Sequence, residues 1–227
     1  MKQTKEERMY LRVRNICGFL GIILPWIALF SASLTPHPND EWWWSISATY
    51  YQTDALVGVL TPASIVLICY IGYNFWDRIV TTLSGLCGLG IILFPCRVSW
   101  LEPGTRVGFF QLPIEVSQTL HTICAVFFFL LLAINSICLF TKSKGVMTSR
   151  KKVRNSIYRI CGWGMIALEV AFAVAKLLPA PGYLTMILEI LLLTLFGISW
   201  LVKGEAFPFL NDEEEKGASG SRHHHHN

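Results

Sequence analysis

The sequence predicts an all-α polytopic membrane protein: a bundle of six transmembrane helices with its N-terminus and C-terminus both cytoplasmic. Three observations predict it. Hydrophobic residues make up 53% of the 227 residues and charged ones 15%, too little charge to cover a soluble domain of this size. Apolar stretches stand at 16–34, 55–76, 79–96, 114–140, 156–178 and 183–202, each close to the roughly 20 residues that carry a helix across a bilayer core. Lysines and arginines collect in alternate connections, the pattern of cytoplasmic retention. Backbone groups in lipid must be paired within their own segment, so each stretch reads as a helix, and none shows the period-two polarity of a barrel strand.

Residues 1–15 form a basic cytoplasmic segment with Lys2, Lys5, Arg8, Arg12 and Arg14. The span at 16–34 is too long for the apolar region of a signal peptide and contains Pro25, so it reads as an anchor that stays. A loop rich in Pro and Trp follows, and Asp54 opens the second span as a first-turn carboxylate beside Thr53. A tight connection around Asp77 makes spans two and three an antiparallel hairpin. Gly18 and Gly21 on the first helix, and Ser84, Gly85 and Gly88 on the third, allow backbones to approach closely. The second long loop, 97–113, has only Arg97 and Arg106 as basic residues, which puts it on the outer side.

Between spans four and five lie Lys142, Lys144, Arg150, Lys151, Lys152 and Arg154. They fix topology and form a surface for anionic lipid, each contributing about 1 kcal/mol near a charged membrane. Pro181-Gly182 turns span five into span six. Residues 204–216 are an acidic cytoplasmic tail, and 217–227, with a His run, read as a vector-derived purification tag. The transmembrane domain is therefore 16–203. The seven cysteines include no C-x-x-C pair and read as small apolar residues.

Ionisable residues inside spans are functional candidates because their burial is costly. They are His121 in span four, Glu169 and Lys176 in span five, and Glu189 in span six. Counted along the helices, they fall in the outer half of the membrane. Glu169 and Lys176 share a face at i, i+7, and the hairpin of spans five and six brings Glu169 toward Glu189. The expected site is an outward-facing cavity lined by His121, Glu169 and Glu189, with Asp54, Lys176, Ser45, Ser47 and Tyr50 at its mouth.

That constellation leaves several chemistries open. A Ser–His–carboxylate hydrolase would use Ser45 or Ser47 with His121, but no G-x-S-x-G elbow is present. Imidazole and carboxylates also suit zinc or another divalent metal, yet no H-x-x-x-H or H-E-x-x-H pair occurs, so no metal site and no cofactor are predicted. No motif decides whether the protein is an enzyme. The leading expectation is binding, with remodelling as an extension, of a lipid or amphiphile. The alternatives are a proton- or cation-handling transporter or channel and a structural membrane subunit. Expected partners are membrane lipids, with a homo-oligomer or another membrane protein open, and not nucleic acid, since the basic run is short and tethered between spans.

Several strings carry a resemblance. Ser45-Ile46-Ser47-Ala48-Thr49-Tyr50-Tyr51 precedes span two, Leu93-Phe94-Pro95 closes span three, and Arg154-Asn155, Tyr158 and Cys161-Gly162 open span five. Glu189 and Gly197-Ile198-Ser199-Trp200-Leu201-Val202-Lys203-Gly204 mark span six. Together they resemble a family of bacterial six-helix integral membrane proteins of uncharacterised role, which implies the bacterial cytoplasmic membrane. The Ser-Ile-Ser segment after a long outer loop is more distantly similar to the Frag/DRAM/Sfk six-transmembrane family, whose association with membrane lipids supports a lipid-related role. The intramembrane zinc hydrolases of the ceramidase and adiponectin-receptor type differ: this chain lacks their paired histidines and has one helix fewer.

Overall fold

The structure is a computed structural model that describes residues 3–72, 74–142 and 145–213. Lys144, the last acidic residues of the tail and the tag expected at 217–227 lie outside the described residues. The helices are α1 (Lys5–Ser33), α2 (Ala55–Cys69), α3 (Phe75–Leu93), α4 (Ile114–Ile134), α5 (Ser149–Leu177) and α6 (Leu184–Lys203). All but α2 are long and apolar enough to cross a membrane, with α4 extended to Leu139 by a π-turn. Each helix packs on its neighbours in sequence, and α6 closes the ring against α1. One end of the ring carries the two termini; the other, the loop end, carries the long connections before α2 and α4.

α1 begins eleven residues earlier than the apolar signal because local capping starts it. Thr4 Oγ1 accepts from Glu7 N at 3.2 Å while Glu7 Oε2 accepts from Thr4 N at 3.2 Å, which satisfies amides the first turn would leave orphaned. Capping also corrects the second span. α2 stops at Cys69, not at residue 76, and Trp76 belongs to the first turn of α3. Gly72 takes φ 68°, and an Asn74–Asp77 capping box begins the next helix. The 15 residues of α2 reach about 22 Å, short of the roughly 30 Å hydrocarbon core.

Small residues set the close contacts, as expected for helices in lipid. A Cβ on Gly18 would sit 2.7 Å from Gly197 O, so α1 and α6 touch backbone to backbone. On the far side, a Cβ on Gly162 of α5 would sit 2.9 Å from Ala133 O of α4. That contact lies toward the terminal end. The buried residues of α5 run from Asn155 to Met165, and none follows in the loop-end half. α5 is thus gripped at one end and only partly covered at the other.

The terminal end is closed by a charged and aromatic cluster. Arg14, 3% exposed, donates from Nε to Tyr70 Oη at 3.0 Å. Lys203 donates to Phe140 O at 3.0 Å and lies 5.6 Å from the Phe140 and Tyr158 ring centroids. Both cations read from sequence as topological markers; folded, they are built into the bundle's end.

On the expected anionic-lipid surface, Arg150 and Arg154 bond the segment after α6, a strap that ends at Asp212 and Glu213. Arg150 donates to Asn211 O at 2.6 Å and pairs with Glu213 at 3.1 Å. Arg154 donates to Leu210 O at 2.8 Å and pairs with Asp212 at 3.2 Å. Lys142 and Lys152 remain exposed. Hydrogen bonds from Arg154, then from Thr148, hold the Asp212 carboxyl below the usual range. A lowered folded value means that the strap's stability is complete above the unfolded value of about 4 and is lost as pH falls through the folded one. Amide exchange at residues 210–212, corrected for intrinsic rate, should therefore be slow at pH 6 and accelerate below about pH 4. Equal protection at both would show that Asp212 does not hold the strap.

Candidate functional site

At the loop end the ring encloses a cavity of about 260 Å³. Its walls are largely apolar: Leu56 and Leu60 of α2, Ala125, Phe128 and Phe129 of α4, Phe172 of α5, and Leu192 and Leu193 of α6. Set into them are Ser45, Ser47, His121, Glu169, Lys176 and Glu189, so the structure brings together six of the residues expected at the site. Two expected residues are elsewhere. Asp54 is exposed at the start of α2 and makes no side-chain cap, and Tyr50 packs edge-on against Tyr51 at 5.1 Å, outside the cavity lining. Adjacency in sequence placed them near the mouth, but Tyr50 is taken up in the 3-10 turn Ser47–Tyr51 and Asp54 lies beyond it, before α2.

Glu189 anchors the loop between α1 and α2, whose Ser45, Ile46 and Ser47 line the cavity as its lid. Ser45 Oγ and Ile46 N donate to its Oε1 at 2.9 and 3.0 Å, while Ser47 Oγ and N donate to its Oε2 at 2.9 and 3.2 Å. One carboxyl from the second turn of α6 thus satisfies four donors of the loop that crosses the bundle. Nearby, Met186 N in the first turn of α6 donates to Trp44 O at 2.9 Å, which satisfies an amide orphaned at a helix start. Trp43 stacks on Tyr183 with centroids 5.7 Å apart. The Trp run therefore docks the loop onto the α5–α6 hairpin.

His121 is 7% exposed and has a structural duty. Its Nδ1 lies 2.8 Å from Phe94 O and 3.1 Å from Ile91 O. Carbonyls only accept, so Nδ1 carries the proton and a neutral ring keeps Nε2 as an acceptor. Ser117 Oγ likewise donates to Pro95 O at 2.7 Å. Together these bonds tie α4 to the frayed end of α3. The serines bond Glu189 and the imidazole bonds backbone, so the hydrolase arrangement of Ser45 or Ser47 with His121 is not assembled.

Glu169 stands apart. It lines the cavity from α5, and among the described residues it makes no hydrogen bond or ion pair. Lys176 lies at the rim, its Nζ 4.8 Å from the Phe172 ring centroid. Both described ion pairs are at the opposite end of the molecule, so neither carboxyl of the cavity is salt-bridged to Lys176.

Four polar lining residues were not expected: Arg97, Gln118, Thr122 and Thr185. Gln118 Oε1 accepts from Arg97 N at 2.6 Å and its Nε2 donates to Thr122 Oγ1 at 3.1 Å. A signal existed, since Gln118 and Thr122 stand at i, i+4 beside the Ser117–His121 pair and so share one helix face. Among the described residues no three His, Cys, Asp or Glu side chains converge as metal ligands. No known protein family, characterised protein or solved structure matches the chain significantly.

Proposed function

We propose that this membrane protein binds a lipid or other amphiphile in the cavity at the loop end of its bundle. The observation that carries the reading is a largely apolar cavity holding Glu169, a carboxyl with no partner among the described residues. Apolar walls favour a hydrocarbon chain, and isolated polar groups fix its orientation. The basic residues on the terminal side support a cytoplasmic position for that end and an outward-facing cavity; the resemblance to bacterial six-helix proteins supports the cytoplasmic membrane. A conducting role is less well supported. Below Leu192 and Leu193 the bundle is filled by Leu132, Met165, Phe196 and Trp200, all buried, which closes the cavity toward the cytoplasmic side.

Native mass spectrometry of the detergent-purified protein tests the proposal. Wild type should retain a lipid-sized adduct, and Ala125→Trp, which projects an indole into the cavity, should retain at least about tenfold less. A wild type that is bare, and whose melting temperature no added lipid raises, would sink the reading. Equal adducts on both proteins would place the lipid elsewhere on the surface.

A further inference from the structure

The geometry points to a single-chain amphiphile with an anionic head as the occupant of this cavity, an inference that rests on its being a lipid site. Charge is the first argument. Arg97 and Lys176 line the mouth, and neither is in an ion pair among the described residues. Glu189 is occupied by four donors from Ser45, Ile46 and Ser47, and Glu115, on which the Arg97 charge acts, lies outside the lining and accepts from Gly104 N at 2.8 Å. Gln118, Thr122 and Thr185 add hydroxyl and amide groups around the same opening. Two cations ringed by hydrogen-bonding side chains suit a carboxylate or phosphate head.

Size is the second. About 260 Å³ falls below the roughly 300–1,000 Å³ of pockets that hold drug-sized ligands, so the cavity encloses part of one chain, whose remainder stays in the membrane, and has no room for the two chains of a phospholipid. Along α4 the lining runs from Gln118 to Phe129, about 16 Å at the helical rise. That matches one leaflet, half of the roughly 30 Å hydrocarbon core. Access is the third. α5 has no buried residue after Met165, and Val126 of α4 lines the cavity while 41% exposed, with Phe172 of α5 lining it too. A chain can slide in from the membrane between α4 and α5.

Glu169 sets the direction. It lies seven residues before Lys176 on the same helix face, about 10 Å deeper. The cavity lining has no lysine or arginine at that depth, so the head stays at Arg97 and Lys176 while Glu169 can accept from a hydroxyl on the chain. Orientation and head charge therefore come from one arrangement.

Binding of defined probes to the purified protein in a neutral detergent tests this, read by native mass spectrometry and intrinsic tryptophan fluorescence. Oleate and oleoyl lysophosphatidate should bind at least about tenfold more tightly than monoolein, a neutral lipid with the same chain. The Arg97→Gln/Lys176→Gln double variant should lose that preference and keep monoolein binding, and its melting temperature verifies the fold. Retention of oleate or of lysophosphatidate as the better ligand tells a carboxylate source from a phosphate one. Equal affinity for monoolein and the anions, or a preference for the cation sphingosine, overturns the inference and leaves a lipid site standing. Failure of every probe, with no change in melting temperature, overturns both.

Discussion

Glu189→Ala is expected to destabilise the protein by about 4 kcal/mol and to release the lid. Each hydrogen bond to a charged group is worth about 1.5–3 kcal/mol, and this one side chain accepts from Ser45 Oγ, Ile46 N, Ser47 N and Ser47 Oγ. The contributions are not additive, and water entering the cavity would recover part of them, which is why the expectation stays below their sum. The two backbone amides matter most, because the turn Ser47–Tyr51 offers them no replacement acceptor while the lid is closed. Glu189→Gln should lose roughly half as much, about 2 kcal/mol. Its amide keeps one accepting oxygen but presents N–H groups to two donors. Denaturant unfolding in detergent measures both values, and amide exchange at Ile46 and Ser47 should quicken in the same order. An alanine variant within about 1 kcal/mol of wild type would show that the lid is held by its tryptophans instead.

That prediction rests on a role the sequence announced only in part. Glu189, Glu169 and His121 were legible as ionisable residues where lipid should exclude them, and the structure gathers them around one cavity. Their duties were not legible, because those duties are contacts across long sequence separations. Glu189 bonds a loop about 140 residues away, and His121 bonds the end of α3. The apolar runs were legible because lipid demands uniform apolarity of any backbone that crosses it. Helix limits were less so. Tyr70 and Ile71 are apolar enough to continue a span, yet Gly72 and the Asn74 cap end α2 before them. Charge counting had a similar blind spot. It could place Arg14, Lys203, Arg150 and Arg154 on one side of the membrane, but not foresee that two would be built into the bundle's end by hydrogen bonds and ring contacts and two bonded to the segment after α6.

Trp200 carries the second large effect. It is 0% exposed, with ring centroids of Phe140, Tyr70 and Phe196 at 5.2, 5.3 and 5.8 Å. Trp200→Ala is expected to cost about 3 kcal/mol, the low end of the range for truncating a buried aromatic. The low end applies because an unfolded helix still in lipid keeps its ring in an apolar solvent, so what is lost is packing and the void left behind, not transfer from water. Trp200→Phe should behave differently. Among the described residues the indole Nε1 is buried without an acceptor, so phenylalanine removes an unsatisfied donor whose burial costs about 1–3 kcal/mol. That gain offsets the smaller ring's lost contacts, and the net change should stay within about 1 kcal/mol. Thermal unfolding of the two variants checks the contrast; a phenylalanine variant as weak as alanine would mean that Nε1 is bonded to an ordered water. The same pair separates binding from conduction. Trp200 lies beneath Phe196, on the terminal-end side of the cavity floor, so Trp200→Phe should leave lipid retention unchanged in native mass spectra. Proteoliposomes of wild type should hold a proton gradient as well as protein-free vesicles, because the aromatic layer leaves the cavity a single open end.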